Sequence, residues 1–160
     1  GHGHALADTH RAPSKLAARL NELRRREAIP FLAGVRAGAQ SVMLAHIDLE
    51  DERTPASLSR RVIGYLKRGI GFRGAVVADD LRMEAVSSRF DIPDAALKAI
   101  EAGCDAVIIS GGLDEQAQAM ARAASALPAR RVMESSRRLQ LLWRRFAVEQ
   151  PNQALEPIPL

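Results

Sequence analysis

One stretch of this 160-residue chain decides its fold: Gly71-Phe72-Arg73-Gly74-Ala75-Val76-Val77-Ala78-Asp79-Asp80-Leu81-Arg82-Met83. The run from Ala75 to Ala78 is short and apolar, which is typical of a parallel strand buried on both faces. This strand leads directly into Asp79 and Asp80. Because parallel α/β proteins carry their functional groups at the carboxyl ends of strands, Asp79 is a candidate nucleophile, metal ligand or helix cap.

Two further apolar runs lie on either side of this strand, at Gln40 to Ile47 and at Ala106 to Ile109. Helical patterns separate the runs, so the sequence predicts an α/β fold with about three parallel strands joined by helical crossovers. Two architectures use that unit, the open doubly wound sheet and the closed eight-stranded barrel. An intact barrel usually needs about 250 residues, so these strands would form only part of one.

The helices are predicted from apolar spacing and from residues that start or stop a helix. Leu16, Leu20 and Leu23 recur at helical spacing, and a second helix is expected from about Pro30 to Gly38. Further helices are expected after these start signals: Thr54 with Pro55, Pro93, Asp114 and Pro128. The last of them carries one apolar stripe, formed by Val132, Leu139, Trp143 and Phe146.

The charge of the chain is positive, +4 net with a pI of about 10.0, and is spread over arginine pairs such as Arg60–Arg61 and Arg137–Arg138. Acidic residues are interspersed and no nucleic-acid-binding motif accompanies the pairs, so solvated helix faces are favoured over a nucleic-acid partner. No apolar run is long enough to span a bilayer, so no membrane partner is expected. The single cysteine, Cys104, excludes an internal disulfide.

Histidines and an aspartate mark two more candidate positions. Asp8 and His10 stand two residues apart in a polar loop from Gly1 to Pro13. A carboxylate that hydrogen-bonds an imidazole fixes its tautomer, so such a pair can act as general acid and then as general base. A polar surface loop without function is the alternative. His46 follows the apolar run Val42 to Ala45, where it would be a ligand contact or a buried structural histidine.

Eight short motifs, taken in order, resemble the β-N-acetylglucosaminidase branch of glycoside hydrolase family 3. They cover roughly residues 1 to 110 and are Gly1 to Gly3, Asp8 to His10, Pro30 with Phe31, Val42 to His46, Pro55 to Ser59, Gly71 to Gly74, Asp79 to Met83, and Ala102 to Asp105. One departure stands beside the candidate nucleophile, where the family usually has Ser and this chain has Ala78.

The resemblance implies the C-terminal portion of a (β/α)8 TIM-type barrel and a retaining glycosidase mechanism. By position, Asp79 matches the family's nucleophile, and His10 matches its acid/base, with Asp8 as the partner of His10. The resemblance also implies residues that contact the sugar or support the nucleophile and the acid/base: His2, His46, Asp80 and Met83. The substrate that the resemblance implies is an N-acetylglucosamine-containing saccharide from peptidoglycan recycling in the cytoplasm. No cofactor and no metal are implied.

The expected organisation is a barrel portion over residues 1–147 and a proline-rich tail over 148–160. The family's Lys-His-Phe-Pro run, which would precede Gly1, is missing, so the chain resembles a fragment that has little activity alone and that needs the N-terminal half or self-association. Three alternatives stay open. They are a non-catalytic half-barrel, a β-N-acetylglucosaminide phosphorylase of the same fold, and a metal-binding module using His2, His4, Asp8, His10 and His46.

Overall fold

Parallel strands alternate with helices along residues 2–146, the part of the chain that the computed structural model describes. The predicted tail over 148–160 and the boundary at residue 147 lie outside the described residues. The strands are β1 Ser14–Leu16, β2 Ser41–Leu44, β3 Ile47–Leu49, β4 Ala75–Asp80 and β5 Ala106–Ile108. The α-helices are α1 Ala28–Arg36, α2 Arg60–Gly64, α3 Glu84–Ser87, α4 Ile92–Ala102, α5 Leu113–Ala126 and α6 Ala129–Phe146.

The central sheet has the order β2-β4-β5, and all its strands are parallel. Val42 pairs with Val76, and Val77 pairs with Ala106. This sheet confirms the predicted α/β class, in which parallel strands are joined by helices. The side chains of Val76 and Ala78 are fully buried, as expected of a strand covered on both faces.

A second, two-stranded parallel sheet pairs β1 with β3, so two sequence predictions need correction. The run Gln40 to Ile47 is not one strand, because it breaks at Ala45–His46 and Ile47 pairs with Ser14 in the second sheet. Leu16 belongs to β1 rather than to a helix. Ser14 and Leu16 are buried while Lys15 between them is exposed, which is the two-residue period of a strand.

Helix starts differ from the predicted ones where a better cap lies close by. Ser59, not Thr54, caps α2, because its Oγ accepts the Val62 amide at 3.2 Å. A short 3₁₀ helix, Ala56–Leu58, occupies the turn after Pro55. Asp114 lies inside the first turn of α5, and Gly112 takes the cap position. Helix α4 ends as predicted at Gly103, whose φ of 125° is readily adopted by glycine and rarely by other residues.

Asp105, directly before β5, fastens helix α6 to the amino ends of the strands. Its side chain is fully buried and accepts hydrogen bonds from the Val76 amide at 3.0 Å and from Arg138 at 2.8 Å. Ser135 and Arg131 of α6 lie 3.2 and 3.4 Å from the same carboxylate. One carboxylate therefore joins two strands to the last described helix.

The outer face of α6 stays open. Trp143 is 74% exposed and Phe146 is 62% exposed, so the predicted apolar stripe is only partly covered. An apolar groove between α5 and α6 is lined by Met120, Leu139 and Trp143. None of the described helices combines the length and apolar character needed to cross a bilayer.

Candidate active site

Asp79 lies at the carboxyl end of β4, at an irregularity in the pairing with β5. Ala78 pairs with Val107 and Asp80 pairs with Ile108, so Asp79 is the extra residue of a β-bulge. A bulge bends its strand and re-aims the side chain it carries, and bulges are common beside active sites. The Asp79 side chain is half-buried, and its Oδ1 accepts the Asp80 amide at 2.8 Å.

Asp80 is held by backbone donors from two loops. Its Oδ1 accepts the amides of Arg82 and Ser110, each at 3.1 Å. Burial alone would raise the pKa of this carboxyl, but the hydrogen bonds from Ser110 and Arg82 outweigh that effect and leave the pKa below its ordinary value. Asp80 therefore ties the end of β4 to the loop that follows β5.

Asp8 and His10 form a hydrogen-bonded pair on the opening loop. His10 Nδ1 lies 2.8 Å from Asp8 Oδ1, and the His10 amide donates to the same oxygen at 3.0 Å. The backbone hydrogen bond from His10, followed by the side-chain one, lowers the pKa of Asp8 below its ordinary value. Both side chains are exposed. The carboxylate holds one imidazole nitrogen and leaves Nε2 directed to other partners.

Thr9, between the two members of that pair, fixes the loop in place. Its side chain is fully buried, and its Oγ1 lies 2.7 Å from Nε2 of His2. Its carbonyl accepts the Ala85 amide of α3 at 3.2 Å. Helix α3 begins just after β4 ends, so Thr9 connects the loop to the segment that follows Asp79. Sequence reasoning missed Thr9, although its position inside Asp-x-His was a signal for it.

His46 and Met83 lie behind the site rather than on its surface. His46 is fully buried, with Nδ1 2.6 Å from Ser57 Oγ and Nε2 2.9 Å from the Asp80 carbonyl. Burial holds the pKa of His46 below its ordinary value, although the Asp80 carbonyl and the Asp79 charge oppose that shift. Met83 is 6% exposed. In the described structure both side chains pack in the interior, and their predicted contacts with a sugar stay predictions.

The structure brings some of the predicted residues together and leaves others apart. Asp8 joins His10, and His46 joins the backbone of Asp80. Within residues 2–146, no hydrogen bond or ion pair links His10 to Asp79. A backbone hydrogen bond from Ala85 of α3 to the Thr9 carbonyl joins the loop to the segment that follows the strand end.

The histidines that suggested a metal module have separate partners. His4 Nδ1 lies 2.7 Å from Glu27, His2 binds Thr9, and His46 is buried with Ser57. Across the described range, no three His, Cys, Asp or Glu side chains converge as metal ligands would.

Comparison with known proteins gives one consistent result. The family model described as "Glycosyl hydrolase family 3 N terminal domain" matches residues 1–142. The chain is 40% identical over 111 residues to a beta-hexosaminidase of Stenotrophomonas maltophilia, an alignment covering 68% of this chain and 33% of the relative. It is 38% identical over 111 residues to a beta-hexosaminidase of Xanthomonas oryzae, with the same coverage of both chains.

Among solved structures, a glycoside hydrolase family 3 beta-N-acetylglucosaminidase from Paenibacillus superimposes with a TM-score of 0.88 at 31% sequence identity. The superposition covers 100% of this chain and 31% of that one. The chain thus spans about a third of the length of these relatives. The predicted fold, a portion of a TIM-type barrel, is confirmed by this superposition.

Proposed function

Since this chain belongs to glycosyl hydrolase family 3, we propose that it carries the nucleophile and the acid/base pair of an enzyme that removes terminal β-linked N-acetylglucosamine. The observation that carries the proposal is the Asp8–His10 pair, at 2.8 Å, on a loop tied through Thr9 to the helix that follows Asp79. A carboxylate at a strand end and a paired imidazole on a neighbouring loop supply the groups that two-step glycoside hydrolysis requires.

In the first step, the Asp79 carboxylate attacks the anomeric carbon and forms a glycosyl ester. The bond from that carbon to the leaving oxygen breaks, and its electron pair stays on the oxygen. His10, in its imidazolium form, donates the Nε2 proton to this oxygen, so the leaving group departs as a neutral alcohol. Asp8 accepts the hydrogen bond from Nδ1 and stabilises the imidazolium before transfer.

In the second step, neutral His10 takes a proton from water while the water oxygen attacks the anomeric carbon. The ester bond to Asp79 breaks, and its electron pair returns to the carboxylate. Two inversions at the anomeric carbon retain its configuration. Most retaining enzymes use two carboxylates. Here the histidine and Asp8 together would replace the second one.

The proposed substrate is a cell-wall-derived saccharide that ends in β-linked N-acetylglucosamine. The named relatives are bacterial beta-hexosaminidases, and bacterial peptidoglycan contains this sugar in β linkage. We propose recycling of such fragments in the cytoplasm as the setting. Because the chain spans about a third of its relatives, we also propose that turnover needs further barrel strands, supplied by an N-terminal half or by self-association.

Hydrolysis of an aryl β-N-acetylglucosaminide by this chain, alone and mixed with the part of the Stenotrophomonas relative that precedes its match, tests the proposal. Asp79→Ala should reduce turnover to background, because no nucleophile remains. The matched control is Asp91→Ala, since Asp91 is exposed and makes no capping hydrogen bond. Equal activity of wild type and Asp79→Ala would refute the assignment.

The role of His10 is tested with two leaving groups. His10→Gln should lower the rate by about 10²–10⁴-fold for a poorly activated aryl group that needs protonation. The formation of the glycosyl ester from a dinitrophenyl glycoside should change much less, because that leaving group departs without a proton. An equal loss on both substrates would remove His10 from the acid role.

A further inference from the structure

Behind the carboxyl end of β4 lies a buried hydrogen-bonded chain that the hydrolytic steps do not use. It runs from Ser57 through His46 to the carbonyl of Asp80. Both side chains are fully buried. We infer that His46 and Ser57 are positioning residues that fix the backbone of the bulge and thereby aim Asp79. The link to Asp79 chemistry rests on the proposed function, whereas the geometry does not.

The partners of His46 define one tautomer. The Asp80 carbonyl can only accept, so Nε2 must carry the proton that it donates across 2.9 Å. In the neutral ring, Nδ1 then accepts from the Ser57 hydroxyl at 2.6 Å. Both ring nitrogens are thereby occupied. A ring whose two nitrogens are both hydrogen-bonded within the protein can hold the backbone in place. The substrate contact predicted for His46 stays a prediction.

Ser57 is itself held firmly. It lies in the 3₁₀ helix Ala56–Leu58, and its carbonyl accepts from Cys104 Sγ at 3.4 Å. Burial raises the pKa of the Cys104 thiol to about 12, so the thiol keeps its proton for this contact. The Ser57 hydroxyl that orients His46 is therefore carried by a residue whose backbone is held in place.

The hydrogen bond from His46 holds one particular peptide group, the one between Asp80 and Leu81. Its carbonyl accepts from His46 at 2.9 Å, and its N–H donates to the Ile108 carbonyl at 3.0 Å. Both ends of the same rigid plane are thus hydrogen-bonded. The Asp80 carboxylate is held separately by Ser110 and Arg82. Asp79, the extra residue of the bulge, therefore projects from a backbone that is fixed on its carboxyl side.

The first test is ¹⁵N spectroscopy of the histidine rings in the unaltered chain. His46 should show a protonated Nε2 and an unprotonated Nδ1, and it should keep that pattern between pH 7.5 and 6.5. A ring protonated on Nδ1, or a mixture of tautomers like that of a solvated histidine, would overturn the inference. This measurement needs no variant to fold and no substrate to turn over.

The second test follows the Leu81 amide by hydrogen exchange. His46→Leu and Ser57→Ala should each speed its exchange, by about fivefold to tenfold, as expected for the loss of one supporting hydrogen bond. His46→Gln keeps a donor near the Nε2 position and should restore part of the protection. The control is Ser14→Ala, because Ser14 is also fully buried but its hydroxyl has no partner among the described residues.

Kinetics separate the inference from the proposed function. If the assembled enzyme turns over, His46→Leu should lower kcat with little change in KM, and Ser14→Ala should change neither. If the Leu81 amide exchanges at the wild-type rate in both His46→Leu and Ser57→Ala, the positioning role of His46 and Ser57 is refuted, even if hydrolysis is observed. Faster exchange at Leu81 in both variants, with no hydrolysis by the assembled wild type, would instead refute the proposed function and leave the positioning role of His46 and Ser57 standing.

Discussion

At the scale of single residues, two histidines of the same chain have opposite surroundings. His10 is exposed and paired with a carboxylate, so a proton can be exchanged with solvent or substrate. His46 is buried between a hydroxyl and a carbonyl, so its neutral form is favoured. Both histidines are candidate site residues in the sequence. Their different environments support the proposed role of His10 in proton transfer and that of His46 in positioning.

The pH dependence of stability follows from His46. Its pKa lies below the ordinary value of 6.5 in the folded chain, first because of burial, against the opposing effect of Asp80 and Asp79. The unfolded chain therefore binds a proton that the folded chain rejects. Stability is complete above the unfolded pKa and falls as pH drops below about 6.5, by up to about 1.4 kcal/mol per pH unit.

Urea unfolding between pH 7.5 and 5 measures this effect. His46→Gln should flatten the dependence, because the group that titrates is removed. His10→Gln is the control, since it removes an exposed histidine. If His46→Gln and wild type lose the same free energy of unfolding over this range, the buried ring is not the source of the pH dependence.

At the scale of secondary-structure elements, local side chains decide where helices begin. Thr54 and Pro55 form a good start signal in the sequence, yet α2 begins later, at Ser59. Ser59 accepts the Val62 amide at 3.2 Å and also donates to the Glu52 carboxylate. Pro55 instead precedes the 3₁₀ helix that holds Ser57. Because α2 begins only at Ser59, Ser57 lies in the preceding 3₁₀ helix, where its hydroxyl meets Nδ1 of His46.

Removal of this cap should be measurable. Ser59→Ala should lower the free energy of unfolding by about 0.5–2 kcal/mol, because the Val62 amide loses its acceptor. Thr54→Ala is the control and should change stability by less than about 0.5 kcal/mol. Chemical denaturation of the purified variants gives both numbers. A larger loss for Thr54→Ala would restore the start predicted from the sequence.

At the scale of the whole molecule, the candidate site residues and the buried junction at Asp105 lie at opposite ends of the sheet. The carboxyl end carries Asp79, Asp80 and the Asp8–His10 loop, whereas the amino end carries Asp105. In barrels of parallel strands, function sits at the carboxyl face and residues at the amino face serve stability. The buried carboxylate of Asp105 joins strands β4 and β5 to α6 and contacts Lys67 at 3.7 Å.

Loss of this junction should be costly. Asp105→Ala leaves Arg138 and Lys67 beside a buried site without their counter-charge, and should lower stability by about 3–5 kcal/mol. The control is Asp94→Ala, since Asp94 pairs with Arg122 at 2.9 Å on the exposed surface. That change should have an effect of about 0–1 kcal/mol. Similar losses from both, measured by urea unfolding, would contradict a stabilising role for the amino end.

The sequence by itself determined the family, the parallel α/β fold and the position of β4. Short apolar runs predict buried strands because a strand covered on both faces has no polar side to show, as at Val76 and Ala78. Motif order likewise identified the family that the comparisons confirm. The site residues Asp79, Asp8 and His10 remain predictions from that resemblance, and the structure adds their local geometry.

Only the tertiary structure decided the partners that lie far apart in the chain. Ile47 joins β1 instead of extending β2 because Ser14 is there to pair with it. The two ring nitrogens of His46 meet the Ser57 hydroxyl and the Asp80 carbonyl, which lie 11 and 34 residues away in the chain. Asp79 became a bulge residue because its neighbours Ala78 and Asp80 pair with successive residues of β5. Local sequence patterns encode which residues are buried and whether their spacing is that of a helix or a strand. They do not encode which distant donor, acceptor or strand will contact a given residue.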